Sequence, residues 1–390
     1  MNIQLPFPDD TVFDMQPEHT AIRTTAERFA SESLAPLSRR IEAGGEIPLD
    51  IRRRMGALGL IGLELPEEHG GLGLDHTASG IVIEAIAEGD FNVAYVQLLA
   101  SLCGTIVARH ARPEIAGEVL PAVCSGEKLI ALALTEPQGG SDAASLRLKA
   151  EKRGDEFLLT GEKTSISLAD QADHAIVFAR TDPGSTDARG ISAFLVDLDA
   201  SGIGRTRFHD MGEHAVGRGS LFFDAVRVPA ARLLGSEGEG FAQVMQGFDF
   251  SRALIGLQCL AVARISLRET WRYVSSRQSF GRPLCENQGV SFPLAELETY
   301  VEAARLLCYR TLAAKDAGRP HTREAAMCKW WAPKLAFEVV QQCLLLHGHA
   351  GYSRDLPFEQ RLRDVLGLQI GDGTAQIMKH IIAREALRVV

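Results

Sequence analysis

Along this chain of 390 residues the spacing of apolar side chains changes twice, which restricts the architectures available to it. From about Pro17 to Cys124, positions such as Ile22, Ala26, Phe29 and Ala30 recur at helical spacing, with no strand pattern between them. Near Lys128 the pattern shortens. Leu129 to Leu134, Phe157-Leu158-Leu159, His174 to Ala179 and Ile191 to Val196 are short apolar runs bounded by turn residues, as strands are. Arg153-Gly154-Asp155 fits a hairpin turn, and Asp182-Pro183-Gly184-Ser185 an exposed loop. From Gly238 onward long helical patterns return, over roughly 241–279, 291–317, 323–346 and 374–389. Helices, sheet, helices is the predicted order: a mainly α protein with a middle β-domain, divided at about 1–127, 128–235 and 236–390. A chain this long is expected to hold more than one core.

Composition narrows the partners. A formal net charge of -9 and a pI near 5.7, without a long Lys/Arg cluster, argue against nucleic acid or an anionic membrane as partner. The seven cysteines are scattered with no Cys-x-x-Cys pair, so they are expected to be buried thiols in a reducing cytoplasm rather than disulfides or metal ligands. Met1 to Met15 lack the basic and apolar regions of a signal sequence, and no run is expected to be long and apolar enough to span a bilayer. The expected location is cytoplasmic.

Two segments stand out chemically. Asp372 lies between Gly371 and Gly373, where little side-chain bulk covers a short carboxylate and the backbone is unusually free. It could face a cavity as a base, or cap the final helix ahead of Thr374, Ile377, Ile381 and Ile382; both roles stay open on the residues alone. In Leu134-Thr135-Glu136-Pro137-Gln138-Gly139-Gly140-Ser141-Asp142, paired glycines and hydroxyls expose small donors suited to a planar polar ring or a phosphate, or simply make a surface loop. Neither Gly-x-Gly-x-x-Gly nor Gly-Lys-Thr/Ser follows the strand here, which disfavours nucleotide binding by those routes.

The segment Leu134 to Asp142 resembles the Thr-Glu-Pro-x-x-Gly-Ser-Asp motif of the acyl-CoA dehydrogenase family of flavoproteins. The likeness extends through Leu65 to Gly73, Arg277-Gln278-Ser279-Phe280-Gly281-Arg282, Gln288 and Pro357 to Asp364, and so covers nearly the whole chain. It implies an N-terminal helical domain, a β-barrel-like middle domain and a C-terminal four-helix bundle, with FAD between them. Leu134, Thr135, Ser141, Ser165, Ser167, Thr374 and Gln376 would then line the FAD site. Phe280 would also meet FAD, and Arg277 and Gln288 would reach the FAD of a neighbouring subunit, which implies an oligomer, a homotetramer in this family. Ser141, Arg252, Gly371 and Gly373 would meet an acyl-CoA, and electron-transfer flavoprotein would reoxidise the cofactor. No metal is implied.

Several positions depart from the family pattern. Ser165 stands where many members carry a tryptophan that shields the flavin, Leu345 where a glutamine meets the adenosine half, and His349 where one glycine of a Gly-Gly-x-Gly is usual, leaving Gly348 and Gly351. Most members have Tyr-Glu-Gly-Thr where this chain has Gly371-Asp372-Gly373-Thr374, so the expected base is one methylene shorter and its large neighbour is gone. The family's other base position falls in the helix with Asp249-Phe250-Ser251-Arg252, where Ser251 cannot accept the proton. Asp372 is therefore the candidate base for removing the α-proton of a thioester while hydride leaves the β-carbon for flavin N5. Taking a carboxylate out of water strengthens it as a base, and donors to the thioester oxygen stabilise the developing enolate. A wider pocket suits a branched or alicyclic acyl group, and the stretch Gly247 to Gly256 looks like that of the subgroup acting on cyclohexanecarboxyl-CoA. Asp90 is either a second acid or base for a cyclic alkene or a helix cap. Two competing functions remain, a nitroalkane-oxidising flavoprotein and a non-catalytic flavin-binding scaffold.

Overall fold

The computed structural model describes residues 16–388. Helices Pro17–Phe29, Ser38–Gly44 and Leu49–Ala57 lead into a segment of turns, and His76–Gly89, Ala94–His110 and Pro113–Cys124 follow. Proline opens the first and last of these, where its missing N–H costs nothing. Asp75 caps His76–Gly89 by accepting from the Ala78 N–H at 2.8 Å. The uninterrupted helical pattern expected from Pro17 to Cys124 thus breaks between residues 58 and 75, where Gly59, Gly62, Gly70 and Gly73 all take positive φ. His76–Gly89 and Ala94–His110 are buried along most of their length and form the inner layer of this part.

From residue 130 the chain becomes a mixed sheet. Its path runs Ile203–Arg205, Gly219–Pro229, Glu156–Ile166, Lys149–Arg153, His174–Arg180, Ile191–Asp197 and Leu233–Leu234, with Ile130–Ala133 pairing in parallel with His174–Val177. Gly154 at φ 61 and Asp155 make the expected hairpin turn between Lys149–Arg153 and Glu156–Ile166. Two strands carry no apolar run of the kind that marked the others. Lys149–Arg153 exposes every residue but Ala150, and Gly219–Pro229 mixes charges among its apolar residues.

Long helices then return as Gly240–Ser276, Gln288–Asp316 and Thr322–Leu346, with Phe358–Gly367 and Ala375–Leu387 packed on Thr322–Leu346. Gly247 and Gly256 let neighbours approach closely, since a Cβ at either would lie 2.7 Å from Leu102 or 2.6 Å from the Cys308 sulfur. Contrary to the expectation that no run could cross a membrane, Gly240–Ser276 is long and apolar enough to do so. Charged residues such as Asp249 and Arg252 interrupt the run and disguised its length. Its most apolar window is 89% buried inside the fold, so packing accounts for the composition. Six of the seven cysteines are buried, and Cys285 is half-buried.

Buried ions weld the three parts together. Glu84 accepts from Arg305 Nε at 2.6 Å and Tyr309 at 2.7 Å, and lies 3.0 Å from Arg264. Burial alone would raise its pKa, but the two guanidinium groups outweigh this and hold it at about 2. A second junction joins all three parts. Tyr95 and Arg218 both donate to Glu213, and the Glu213 N–H donates to Asp364 at 2.6 Å. Burial first, and the Glu213, Asp90 and Glu42 charges after it, push Asp364 up to about 8. Asn92 Oδ1 has no partner among the described residues; with its amide turned over it would accept the proton of neutral Asp364. A raised pKa in the fold means stability fully present below the unfolded value of about 4 and lost as pH rises through about 8. Asp364→Asn, always neutral, is expected to flatten the fall of Tm with pH over that window and to melt above the wild type at alkaline pH; thermal melts from pH 5 to 9 check this.

Candidate active site

Asp372 sits in the turn joining Phe358–Gly367 to Ala375–Leu387. The turn tightens through Ile370 N–H and Gly371 N–H, which donate to the Gly367 carbonyl at 3.0 and 3.1 Å. Asp372 then takes φ 52 and Gly373 φ 102. A Cβ on Gly373 would lie 2.5 Å from the Met378 methyl, the movable end of a flexible side chain, so it is the positive φ that calls for glycine there. Gly371 is different, since an added Cβ meets nothing nearer than the Gly367 carbonyl at 3.8 Å. The helix cap considered for Asp372 belongs to Thr374, whose hydroxyl accepts from the Ile377 N–H. Asp372, two residues earlier, is half-buried and left for another role.

Its surroundings are buried. The Asp372 carboxylate acts electrostatically on Tyr95, Cys103, Arg252 and Lys329, which gathers residues from three helices around one charge. Arg252 is 5% exposed, contacts Asp249 at 3.3 Å and the Phe248 ring, and has an Nε without a partner. Burial lowers its pKa, and Asp249 and Asp372 work against that. Ser251, one residue away, is buried with its hydroxyl unpartnered. Lys329 donates from Nζ to the carbonyls of Leu368 at 2.7 Å and Gly373 at 3.2 Å; burial pulls it down to about 8, opposed chiefly by Asp372.

A second group of sequence-predicted residues assembles in the sheet. Leu134 and Thr135 leave Ile130–Ala133, and the Thr135 carbonyl accepts from the Thr164 N–H at 2.9 Å, so this loop lies beside Ser165 and Ser167. Ser165 occupies a bulge at φ 57 and is exposed. Beneath the loop, Lys163 is fully buried and donates to the Leu134 carbonyl at 2.9 Å and to Glu136 at 2.7 Å. Glu136 also accepts from the Arg147 and Leu148 N–H groups at 2.6 and 2.8 Å. Burial lowers Lys163 to about 8 while Glu136 opposes it. The hydroxyls of Thr135, Ser141, Ser165 and Ser167 make no hydrogen bond to another described residue, and a neutral donor and acceptor set of this kind fits a heteroaromatic ring such as that of FAD.

Arg277, Phe280 and Gln288 form a third, exposed group. Phe280 (φ 52) and Gly281 (φ 77) make the turn of a small hairpin, with Phe280 99% exposed, and Gln288 opens the next helix. Gln376 is exposed in the first turn of Ala375–Leu387. Leu345 is 60% exposed and His349 exposed, while a Cβ on Gly351 would lie 2.1 Å from the Leu344 carbonyl. Asp90 accepts from the N–H groups of Asn92 and Val93 but is 2% exposed, so it is not the solvated cap considered for it, and burial pushes it up to about 6. Lys329, Lys163, Tyr95 and Glu213 were not singled out in sequence. The available signal was a lysine inside the apolar helical run Ala325-Ala326-Met327-Cys328-Lys329-Trp330.

Comparison with known proteins matches residues 16–127, 131–226 and 238–387 to the acyl-CoA dehydrogenase N-terminal, middle and C-terminal domains. The chain is 33% identical to the 3-(aryl)acrylate reductase of Clostridium sporogenes, covering 95% of this chain and 99% of that protein. It is also 33% identical to the Caffeyl-CoA reductase-Etf complex subunit CarC of Acetobacterium woodii, covering 95% and 98%. Among solved structures, butyryl-CoA dehydrogenase from Megasphaera elsdenii superposes with a TM-score of 0.93 at 31% identity, covering 96% of this chain and all of that one (100%). A glutaryl-CoA dehydrogenase from Mycobacterium smegmatis in complex with FADH2 gives 0.91 at 25% identity, covering 97% and 96%.

The loop's dependence on one buried ammonium is testable. Lys163→Met leaves Glu136 buried without its counter-charge, which typically costs about 3–5 kcal/mol; urea unfolding should register a loss of that order.

Proposed function

The chain belongs to the acyl-CoA dehydrogenase family, and on that premise we propose that Asp372 is the base that takes the α-proton of an alicyclic or branched acyl-CoA. FAD-dependent dehydrogenation of an acyl-CoA is the reaction of this family. The observation that carries the assignment is the half-buried Asp372 carboxylate, freed from helix capping by Thr374 and set beside Arg252, with Ser251 at the alternative position. Bound FAD supplies the two-electron acceptor for the hydride released from the β-carbon.

The chain's own residues supply the rest. Thr135, Ser141, Ser165 and Ser167, with Leu134 beneath them, would hold the flavin ring, and Thr374 and Gln376 would reach it from the start of the last helix. Asp372 receives the proton, and its own backbone N–H is suited to stabilise the negative charge that develops on the thioester oxygen. Ser141, Arg252 and Gly373 line the acyl-CoA path. Tyr95 and Cys103, both buried on Ala94–His110, close one side of the space that the carboxylate acts on. The exposed hairpin with Arg277 and Phe280, together with Gln288, supports a homotetramer in which these residues reach the FAD of a neighbour. Electron-transfer flavoprotein is the proposed acceptor, in keeping with the Etf complex named for the Acetobacterium woodii relative.

Open space at Gly371 supports the substrate class. A residue without a side chain beside a short carboxylate leaves room at the α and β carbons, where a ring or branch needs it. Two outcomes test the proposal. Asp372→Asn, with flavin content unchanged, is expected to lower turnover by about 10²–10⁴-fold in stopped-flow bleaching of the bound flavin. Gly371→Tyr is expected to cut kcat/KM for cyclohexanecarboxyl-CoA by at least about tenfold relative to butyryl-CoA; an unchanged ratio would remove the pocket argument.

A further inference from the structure

Lys329 is 1% exposed, and among the described residues no carboxylate forms an ion pair with it. Its ammonium is solvated by main-chain carbonyls, those of Leu368 at 2.7 Å and Gly373 at 3.2 Å. A charge so placed is costly to bury, and an apolar side chain of similar length would pack there at lower cost. Its two acceptors show what the charge accomplishes. Leu368 is the C-cap residue of Phe358–Gly367, so its carbonyl belongs to the set that a helix end leaves without a partner. Gly373 takes φ 102 immediately before Thr374, the N-cap of the next helix. One ammonium therefore bridges the C-cap of one helix and the residue before the N-cap of another. Asp372, at φ 52, lies on the segment between them. The anchor itself is rigid, because Lys329 sits in the interior of Thr322–Leu346, packed against Gly240–Ser276.

We propose that Lys329 is a positioning residue: its buried ammonium pins both ends of the 368–373 turn and thereby aims the Asp372 carboxylate into the acyl pocket. It touches neither substrate nor flavin and moves no proton in the reaction. The proposal rests on Asp372 being the base. Without the pin the turn keeps its cap at Thr374 and its bonds to the Gly367 carbonyl, so the fold survives while the carboxylate wanders.

The test uses the purified holoenzyme as wild type, Lys329→Met, Asp372→Asn and the double variant. Turnover of a thioester, flavin-to-protein ratio and amide hydrogen exchange across residues 368–374 are measured for each. Lys329→Met should lower kcat by on the order of 10²-fold, the cost of roughly 1 Å of misplacement, with KM within about threefold. Flavin content should hold, and exchange should quicken in the 368–374 segment alone. The double variant should turn over no more slowly than Asp372→Asn, because a positioning residue has nothing to position once the base is gone. A kcat within about threefold of wild type overturns the proposal. So does a loss that multiplies with that of Asp372→Asn, or faster exchange throughout the helical bundle. Should Lys329→Met fail to fold, Lys329→Gln keeps an amide donor and should show an intermediate loss of protection and of kcat; a Gln variant with reduced kcat but wild-type protection also overturns it. Near-normal turnover by Asp372→Asn would instead sink the base assignment, and the exchange data would still report on the pin.

Discussion

Ionised groups buried at the seams between layers must be paired or neutralised, and this requirement fixes how the three parts of the chain meet. Glu84 on an N-terminal helix is reached by Arg264 and Arg305 from two different C-terminal helices. Truncating either side would leave a charge in the interior, so the helices cannot slide apart without cost. The junction of Tyr95, Glu213, Arg218 and Asp364 does the same where all three parts touch. Asp364 escapes the penalty by holding its proton.

Two buried lysines extend that logic to the site. Lys163 fixes the loop after the first strand through the Leu134 carbonyl and Glu136, and Lys329 grips the turn that carries Asp372. Both candidate segments are thus irregular backbone underpinned by a cation out of reach of water. Hydroxyls and a carboxylate then face outward from a support whose own hydrogen bonds are already made.

The order of helices, sheet and helices was legible because apolar spacing reports a buried face directly. It failed where backbone rather than side-chain pattern decides, as at the glycine turns of residues 58–75, and where a strand is mostly exposed, as in Lys149–Arg153. Asp372 could be singled out because both flanking residues are glycine, but setting the cap aside needed the geometry of Thr374. Lys329 left only the signal of a lysine inside an apolar helical run, and the roles of Lys163 and Lys329 could not be read from it. Their acceptors lie 27, 29, 39 and 44 residues away, and three of the four are main-chain carbonyls that no residue type advertises. Asp90 and Asp364 look alike in sequence, whereas burial among other acids is what separates each from an ordinary carboxylate.

Position 371 has an implication for how relatives of this chain diverge. Gly373 is held to glycine by its φ of 102, while the backbone at Gly371 would accept a Cβ without disturbance. The two glycines that flank Asp372 therefore differ, one fixed by backbone conformation and the other free of any constraint from its neighbours. On the proposed reading of Asp372 as the base, a relative could resize the acyl chamber by a single substitution at 371 while leaving the scaffold untouched.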